Sequence, residues 1–247
     1  MKICDRLNTR VVLLITIALL ALPAVSLAQT DEIQVYDASI AERGVFNLTL
    51  HNNFTPDGLN HPAFPGGLIP DKSLNGVAEW AYGVADWFEA GLYLPLYSIS
   101  KDRGASINGG KLRMLFVRPH AATHTFFYGM NFEFSYNAKH WDARRYTSEI
   151  RAIIGVHLHP VDIIVNPILD NSYTGGFKGL DFAPADFGLL RHFLRPREQS
   201  QQLYAVVDHT TKYVNIEAGI GFGLTSASDK VTFKLILSRD LYVPNKK

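Results

Sequence analysis

Tyr213-Val214-Asn215-Ile216-Glu217-Ala218-Gly219-Ile220-Gly221-Phe222-Gly223-Leu224 is the stretch that decides the fold. Val214, Ile216, Ala218, Ile220, Phe222 and Leu224 hold one parity, and Tyr213, Asn215, Glu217 and three glycines hold the other. Successive side chains of a strand point to opposite faces. Extended, this segment has one face suited to an apolar medium and one that accepts water. The glycines at 219, 221 and 223 leave room for large side chains on neighbouring strands.

The pattern recurs along the chain. Over 124–136, Phe126, Tyr128, Met130, Phe132, Phe134 and Tyr136 alternate with Thr125, Phe127, Gly129, Asn131, Glu133 and Ser135. Over 146–158, Ile150, Ala152, Ile154, Val156 and Leu158 oppose Glu149, Arg151, His157 and, beyond the segment, His159, with Ile153 as the exception. Near the end, Val231, Phe233, Leu235 and Leu237 oppose Thr232, Lys234 and Ser238. Ten strands are expected, at 44–54, 75–85, 88–99, 111–119, 124–136, 146–158, 161–170, 201–208, 213–224 and 230–242. Many amphipathic strands in series on an exported chain predict an all-β, antiparallel, up-and-down transmembrane barrel.

Charge placement says which parity faces inward. Glu79, Glu89, Arg113, Glu133, Glu149, Arg151, Asp162, Glu217 and Lys234 all fall on the polar parity. An Arg or Lys facing lipid at mid-membrane costs about 2–4 kcal/mol, so these side chains are expected to line a narrow lumen. Pairs such as Glu133 with Arg151 are expected there, and either a structural or a permeation role fits them. Alternation by itself fits a soluble barrel with the apolar parity inside. Such a barrel would be a periplasmic lipid carrier.

The N-terminus supplies the export signal. Lys2, Arg6 and Arg10 precede the uncharged run Val11–Leu22, and Ser26-Leu27-Ala28 has the form of a cleavage site. Residues 1–28 therefore read as a signal peptide cut after Ala28, leaving 29–247 as one domain. A spanning helix needs about 20 apolar residues, and Pro23 ends this run early. The sole cysteine, Cys4, lies in the removed segment, so no disulfide is expected. The net charge of +1 falls to about −1 on cleavage. With no basic stripe, nucleic acid is not an expected partner.

Connection lengths give the orientation. The stretches 55–74, 100–110, 137–145 and 171–200 read as long, whereas those near Asp86-Trp87, 120–123, His159-Pro160 and 209–212 read as short. Outer-membrane barrels keep short turns on the periplasmic side and long loops outside. The loop 55–74 carries Phe64, Leu68 and Ile69, apolar residues fit to fold over the mouth as a lid. In 171–200, Arg191, His192, Arg195 and Arg197 sit among leucines and Phe193, a pattern suited to lipopolysaccharide phosphates.

Three segments carry a family resemblance. They are Asn47-Leu48-Thr49-Leu50-His51-Asn52-Asn53-Phe54; Glu79-Trp80-Ala81-Tyr82-Gly83-Val84-Ala85-Asp86-Trp87-Phe88-Glu89-Ala90-Gly91-Leu92; and Gly219–Asp229. Together they resemble the bacterial outer-membrane barrels grouped as MetA-pathway of phenol degradation proteins. The resemblance implies a Gram-negative outer-membrane location and a transport role in uptake of hydrophobic compounds. It brings no catalytic or binding residues. Relatives of that kind look closer to twelve strands, with a hairpin after Phe182-Ala183-Pro184-Ala185 that this chain lacks.

Little else in the sequence carries chemistry. His157 and His159 share a face, and Asp162 follows the turn. Two imidazoles and a carboxylate form a weak metal candidate, since a closed zinc site takes four ligands. No G-x-S-x-G is present, His124 and Ser135 have opposite parity, and no enzyme or cofactor is expected. The expected function is an outer-membrane barrel that passes or binds a small hydrophobic compound. The alternative is a non-conducting structural barrel whose loops bind lipopolysaccharide or an envelope protein.

Overall fold

A computed structural model describes residues 35–158, 161–173, 179–183 and 202–243. The expected signal peptide, His159 and the basic segment Arg191–Arg197 lie outside the described residues. Twelve strands form one antiparallel sheet: β1 (Phe46–Asp57), β2 (Ser73–Ala85), β3 (Phe88–Ser100), β4 (Gly104–Val117), β5 (Phe126–Asn137), β6 (Tyr146–Leu158), β7 (Val161–Val165), β8 (Ile168–Ser172), β9 (Gly179–Ala183), β10 (Gln202–Thr210), β11 (Asn215–Gly223) and β12 (Val231–Tyr242). A single 3-10 turn, Ala121–Thr123, precedes β5.

The spatial order is β10-β11-β12-β1-β2-β3-β4-β5-β6-β8-β9, with β7 also on β6. The last strand pairs with the first, Leu50 opposite Leu237. From β10 through β12 and from β1 through β6, strands that follow one another in the chain lie side by side in the sheet, and β7 and β8 follow each other along the edge of β6. With the β12–β1 join this is the up-and-down barrel topology. The two ends of the path, β9 and β10, flank 184–201, outside the described residues.

The expected count is about ten strands, with twelve possible; among the described residues there are twelve strand segments. Two finer expectations need correction. The expected strand 161–170 is two segments, because Pro167 cannot donate to the ladder: β7 pairs the C-terminal half of β6 and β8 its N-terminal half. The extra strand β9 covers 179–183. The connection 100–110 is a tight turn, since β3 runs to Ser100 and β4 begins at Gly104. Its glycines and serines disguised the start of β4.

Alternation in β5 shows how the faces divide. Asn131 and Phe127 are fully buried and Glu133 nearly so, whereas Phe126, Tyr128, Met130, Phe134 and Tyr136 are exposed. The same division runs along β2, β3, β4, β6 and β12, with Leu92, Leu112, Met114 and Ile154 outward and Glu79, Glu89, Arg113 and Lys234 enclosed, whereas on β10 side chains of both parities are exposed. A soluble barrel with an apolar interior would show the reverse. The outward face presents large apolar side chains from most of the strands, far beyond the patches a water-soluble surface tolerates.

Two apolar clusters fill the interior on the β2–β6 side. One, near the end where β1 starts, joins Leu115, Val117, Ala121, Phe127 and Ile153 with Tyr36 and Ala38. The other, at the far end, joins Val77, Tyr93, Leu96, Leu68 and Trp141. Gly155 lies directly under the Phe127 ring, a position where a side chain would collide.

Candidate functional site

The middle of the enclosed face is a belt of charge. Register sets Gly91 of β3 opposite Arg113 of β4, and Arg113 opposite Glu133 of β5. A Cβ on Gly91 would lie 2.9 Å from Arg113 Nε. The missing side chain therefore lets the guanidinium cross β3. Arg113 Nη2 donates to Glu79 Oε1 of β2 at 2.6 Å and to Glu89 Oε1. Arginine offers five donors in a fixed fork, which suits one cation held between two carboxylates. His51 Nε2 lies 2.9 Å from the other oxygen of Glu79.

On the next strands Lys111 approaches Glu133 at 3.6 Å, Asn131 donates to Glu133 at 2.8 Å, and Arg151 Nε donates to Glu149 at 2.7 Å. Lys234 pairs with Glu217 across β11 and β12. A buried charge is tolerated only when paired and hydrogen-bonded, and each of these has such partners. The seven sequence-derived residues thus split into two sets: Glu79, Glu89, Arg113, Glu133 and Arg151 on one side, Glu217 and Lys234 on the other.

Sequence reasoning missed the occupant of this belt. Residues 35–45 run into the interior ahead of β1. Tyr36 is 5% exposed. Its hydroxyl donates to Glu133 Oε1 at 3.2 Å and lies 3.2 Å from the Tyr93 hydroxyl. The Arg151 and Arg113 guanidiniums sit 4.8 and 5.9 Å from its ring centroid, within cation–π range. Asn166, freed by the break between β7 and β8, grips the backbone of Tyr36: its Oδ1 accepts from Tyr36 N and its Nδ2 donates to Tyr36 O, both at 3.0 Å. Ala41 N donates to Glu89 Oε2 at 2.6 Å. Gly44 and Val45 then bond to Gly83, where a side chain would strike the crossing backbone. Two signals were present. Tyr36, Ala38 and Ile40 alternate with Asp37 and Ser39, and Pro167 interrupts a strand.

At the far end the loop 58–72 folds inward and brings Leu68 to 1% exposure, with Phe64 also buried. Leu68 N donates to His140 O at 3.0 Å, and Arg103 Nη2 donates to Gly66 O at 2.6 Å. Below the lid runs a relay of buried polar side chains: His140 to Asn108, Asn108 to Ser98, Ser98 to Asn75, Asn75 to Ser73, and Ser73 to Pro70 O. Partial burial, with Arg103 close by, holds His140 below the usual histidine range. At the loop base, Gly58 N donates to Asp71 and Leu59 N to Asp229. Burial, with Asp71 close by, raises Asp229 above the usual aspartate range.

Open space remains beside the N-terminal segment. A cavity of about 600 Å³ lies among residues 36–45, the inner faces of β1, β11 and β12, and the belt residues Glu79, Glu89 and Arg113. Asn47, Thr49, Ser238 and Asp240 line it and are linked to one another by hydrogen bonds.

Of the weak metal candidate, His157 Nδ1 pairs with Asp162 at 2.9 Å, and His159 lies outside the described residues. Among the described residues no group of three or more His, Cys, Asp or Glu side chains is placed to hold a metal ion.

No family model matches the chain. No curated protein matches it either. Among solved structures, it is similar to the COG4313 outer membrane channel from Pseudomonas putida F1, with TM-score 0.51 and 11% identity over 84% of this chain and 99% of that one. At that identity the likeness concerns the fold: this chain has the barrel fold of an outer membrane channel.

Proposed function

We propose that the chain is an outer-membrane channel-type barrel that passes or binds a small hydrophobic compound and rests in a closed state. The observation that carries this reading is Tyr36, held at the level of the charge belt by Asn166, Tyr93, Glu133 and two guanidiniums. A segment gripped by side chains and backbone amides is a closure that can be released without dismantling the wall. The outward apolar face supports a lipid setting, and the fold likeness supports the outer membrane. The end bearing 58–72 faces outward and the start of β1 faces the periplasm. The apolar far cluster suits a hydrophobic ligand, and the rim around the exposed Arg145 meets lipopolysaccharide.

Location is tested by fractionating a tagged protein and comparing unboiled with boiled samples on a gel. A shifted band in the outer-membrane fraction is expected, and an unshifted periplasmic protein overturns the reading. Transport is tested by single-channel recording and liposome swelling on wild type and Tyr36→Ala. Low conductance in wild type and a rise of about ten-fold in the variant are expected, the gain of removing an occluding side chain worth about 1.4 kcal/mol at the barrier.

A second reading has its own support. The β2–β6 side of the interior carries two packed apolar clusters, as in a purely structural barrel whose loops bind envelope components. Equal, negligible conductance in wild type and Tyr36→Ala favours it.

A further inference from the structure

The two closures meet on one side chain. Tyr93 of β3 is fully buried. On its far side its ring belongs to the cluster of Leu68, Val77, Leu96 and Trp141, of which Leu68 comes from the lid. On its near side its hydroxyl reaches the hydroxyl of Tyr36, which comes from the N-terminal segment. Each phenol has a single proton to give. Tyr36 gives its proton to the Glu133 carboxylate, an acceptor when ionised, so Tyr93 donates to Tyr36. The order is fixed: Tyr93 to Tyr36 to Glu133. Lys111 and Arg113 stand 5.7 and 5.5 Å from the Tyr93 ring centroid on the charged side. The ring thus stands between the packed apolar cluster, completed by Leu68 of the lid, and the charge belt, completed by Tyr36 of the N-terminal segment.

We propose that Tyr93 couples the outer lid to the inner closure: displacement of Leu68 from the far cluster frees the Tyr93 ring, and the N-terminal segment then loses its hold at Tyr36. A ligand that enters under the lid and takes the place of Leu68 thereby triggers release at the other end of the lumen. This rests on the reading of the barrel as a gated channel and assigns its regulation. Close packing supplies the transmission, because a filled interior shifts between discrete arrangements and does not deform smoothly.

The test follows the inner closure directly and does not depend on conduction. Ala38, 4% exposed beside Tyr36, becomes a reporter as Ala38→Cys in a full-length chain carrying Cys4→Ser. The rate of its reaction with a water-soluble maleimide is measured on folded protein in detergent. Leu68→Ala is expected to raise that rate about five-fold or more, the lower end of ordinary coupling between sites. Tyr93→Phe keeps the ring and removes only the hydroxyl, and it is expected to raise the rate as well. The double variant should react no faster than the quicker single one, since both act through one link. Arg103→Ala loosens the lid from outside the packed cluster and serves if Leu68→Ala fails to fold. The proposal is overturned if lid variants leave the rate within about two-fold of wild type, or if the Leu68 and Tyr93 effects multiply. Coupling without conductance in Tyr36→Ala sinks the channel reading alone, and conductance without coupling sinks this proposal alone.

Discussion

The interior of this barrel has two unlike halves. From β2 to β6, side chains fill the enclosed space: two apolar clusters, a charge belt between them, and Tyr36 wedged against it. From β10 to β12 no apolar cluster forms among the described residues: glycines stand on β11, Glu217 pairs with Lys234, and the cavity that borders β11, β12 and β1 reaches across to Glu79, Glu89 and Arg113. The wall is a single sheet. Wall strands fix which face is enclosed, whereas the size of the enclosed side chains decides whether a given sector is a core or a conduit.

The largest expected effect falls on the filled half. Arg113→Ala leaves Glu79 and Glu89 buried without their shared cation and is expected to cost about 3–5 kcal/mol. Lys234→Ala, on the thin half, leaves Glu217 partly in water and is expected to cost about 1 kcal/mol. The temperature at which the compact band unfolds on an unboiled gel measures both, and equal losses would erase the distinction between the halves. Next in size, Gly155→Ala forces the Phe127 ring aside and is expected to cost about 1–3 kcal/mol. Gly219→Ala meets its nearest atoms at 3.0 and 3.1 Å, on a more open strand, and is expected to cost below about 1 kcal/mol by the same melting measurement.

A further substitution sharpens the comparison in function. Ser238→Phe puts bulk into the cavity. If solutes cross there, it is expected to cut the conductance of the Tyr36→Ala protein several-fold, with about 1 kcal/mol of stability lost with its hydrogen bonds to Thr49 and Asn47. Conductance unchanged by the added ring would move the path to the filled side. The smallest effect concerns the lid base. The Asp229 carboxyl is raised above its usual range, so the folded state favours its neutral form. The lid base is then most stable in acid and loses stability as pH rises through the folded pKa. Asp229→Asn keeps an acceptor for Leu59 N and is expected to remove that loss, raising stability at neutral pH by up to about 1 kcal/mol. Melting curves across the acid range would show a flattened pH dependence.

The wall was legible from the sequence because period-two alternation is a local property. Strands β5, β6, β11 and β12 lie within a few residues of their expected places. Glu79, Glu89, Arg113 and Glu133 lie on the enclosed side because a charge on the outer parity is so costly. What was not legible depends on contacts between distant residues. Nothing near Tyr36 says that Asn166 will hold it from 130 positions away. Gly91 reads as an ordinary strand glycine until register sets it opposite Arg113. The start of β4 was hidden by Gly109-Gly110 and the serines before them, residues that also make good turns.

The way Arg113 crosses Gly91 bears on how the barrel is assembled. Glu79 and Glu89 arrive together on the β2–β3 hairpin, and the cation they share arrives only with β4. Alone, that hairpin presents an unbalanced pair of carboxylates on the face that must turn inward, and hydration holds it back from burial. Docking of β4 removes that reluctance for three strands at once. The belt therefore ties burial of both carboxylates to correct register of β4 against β3.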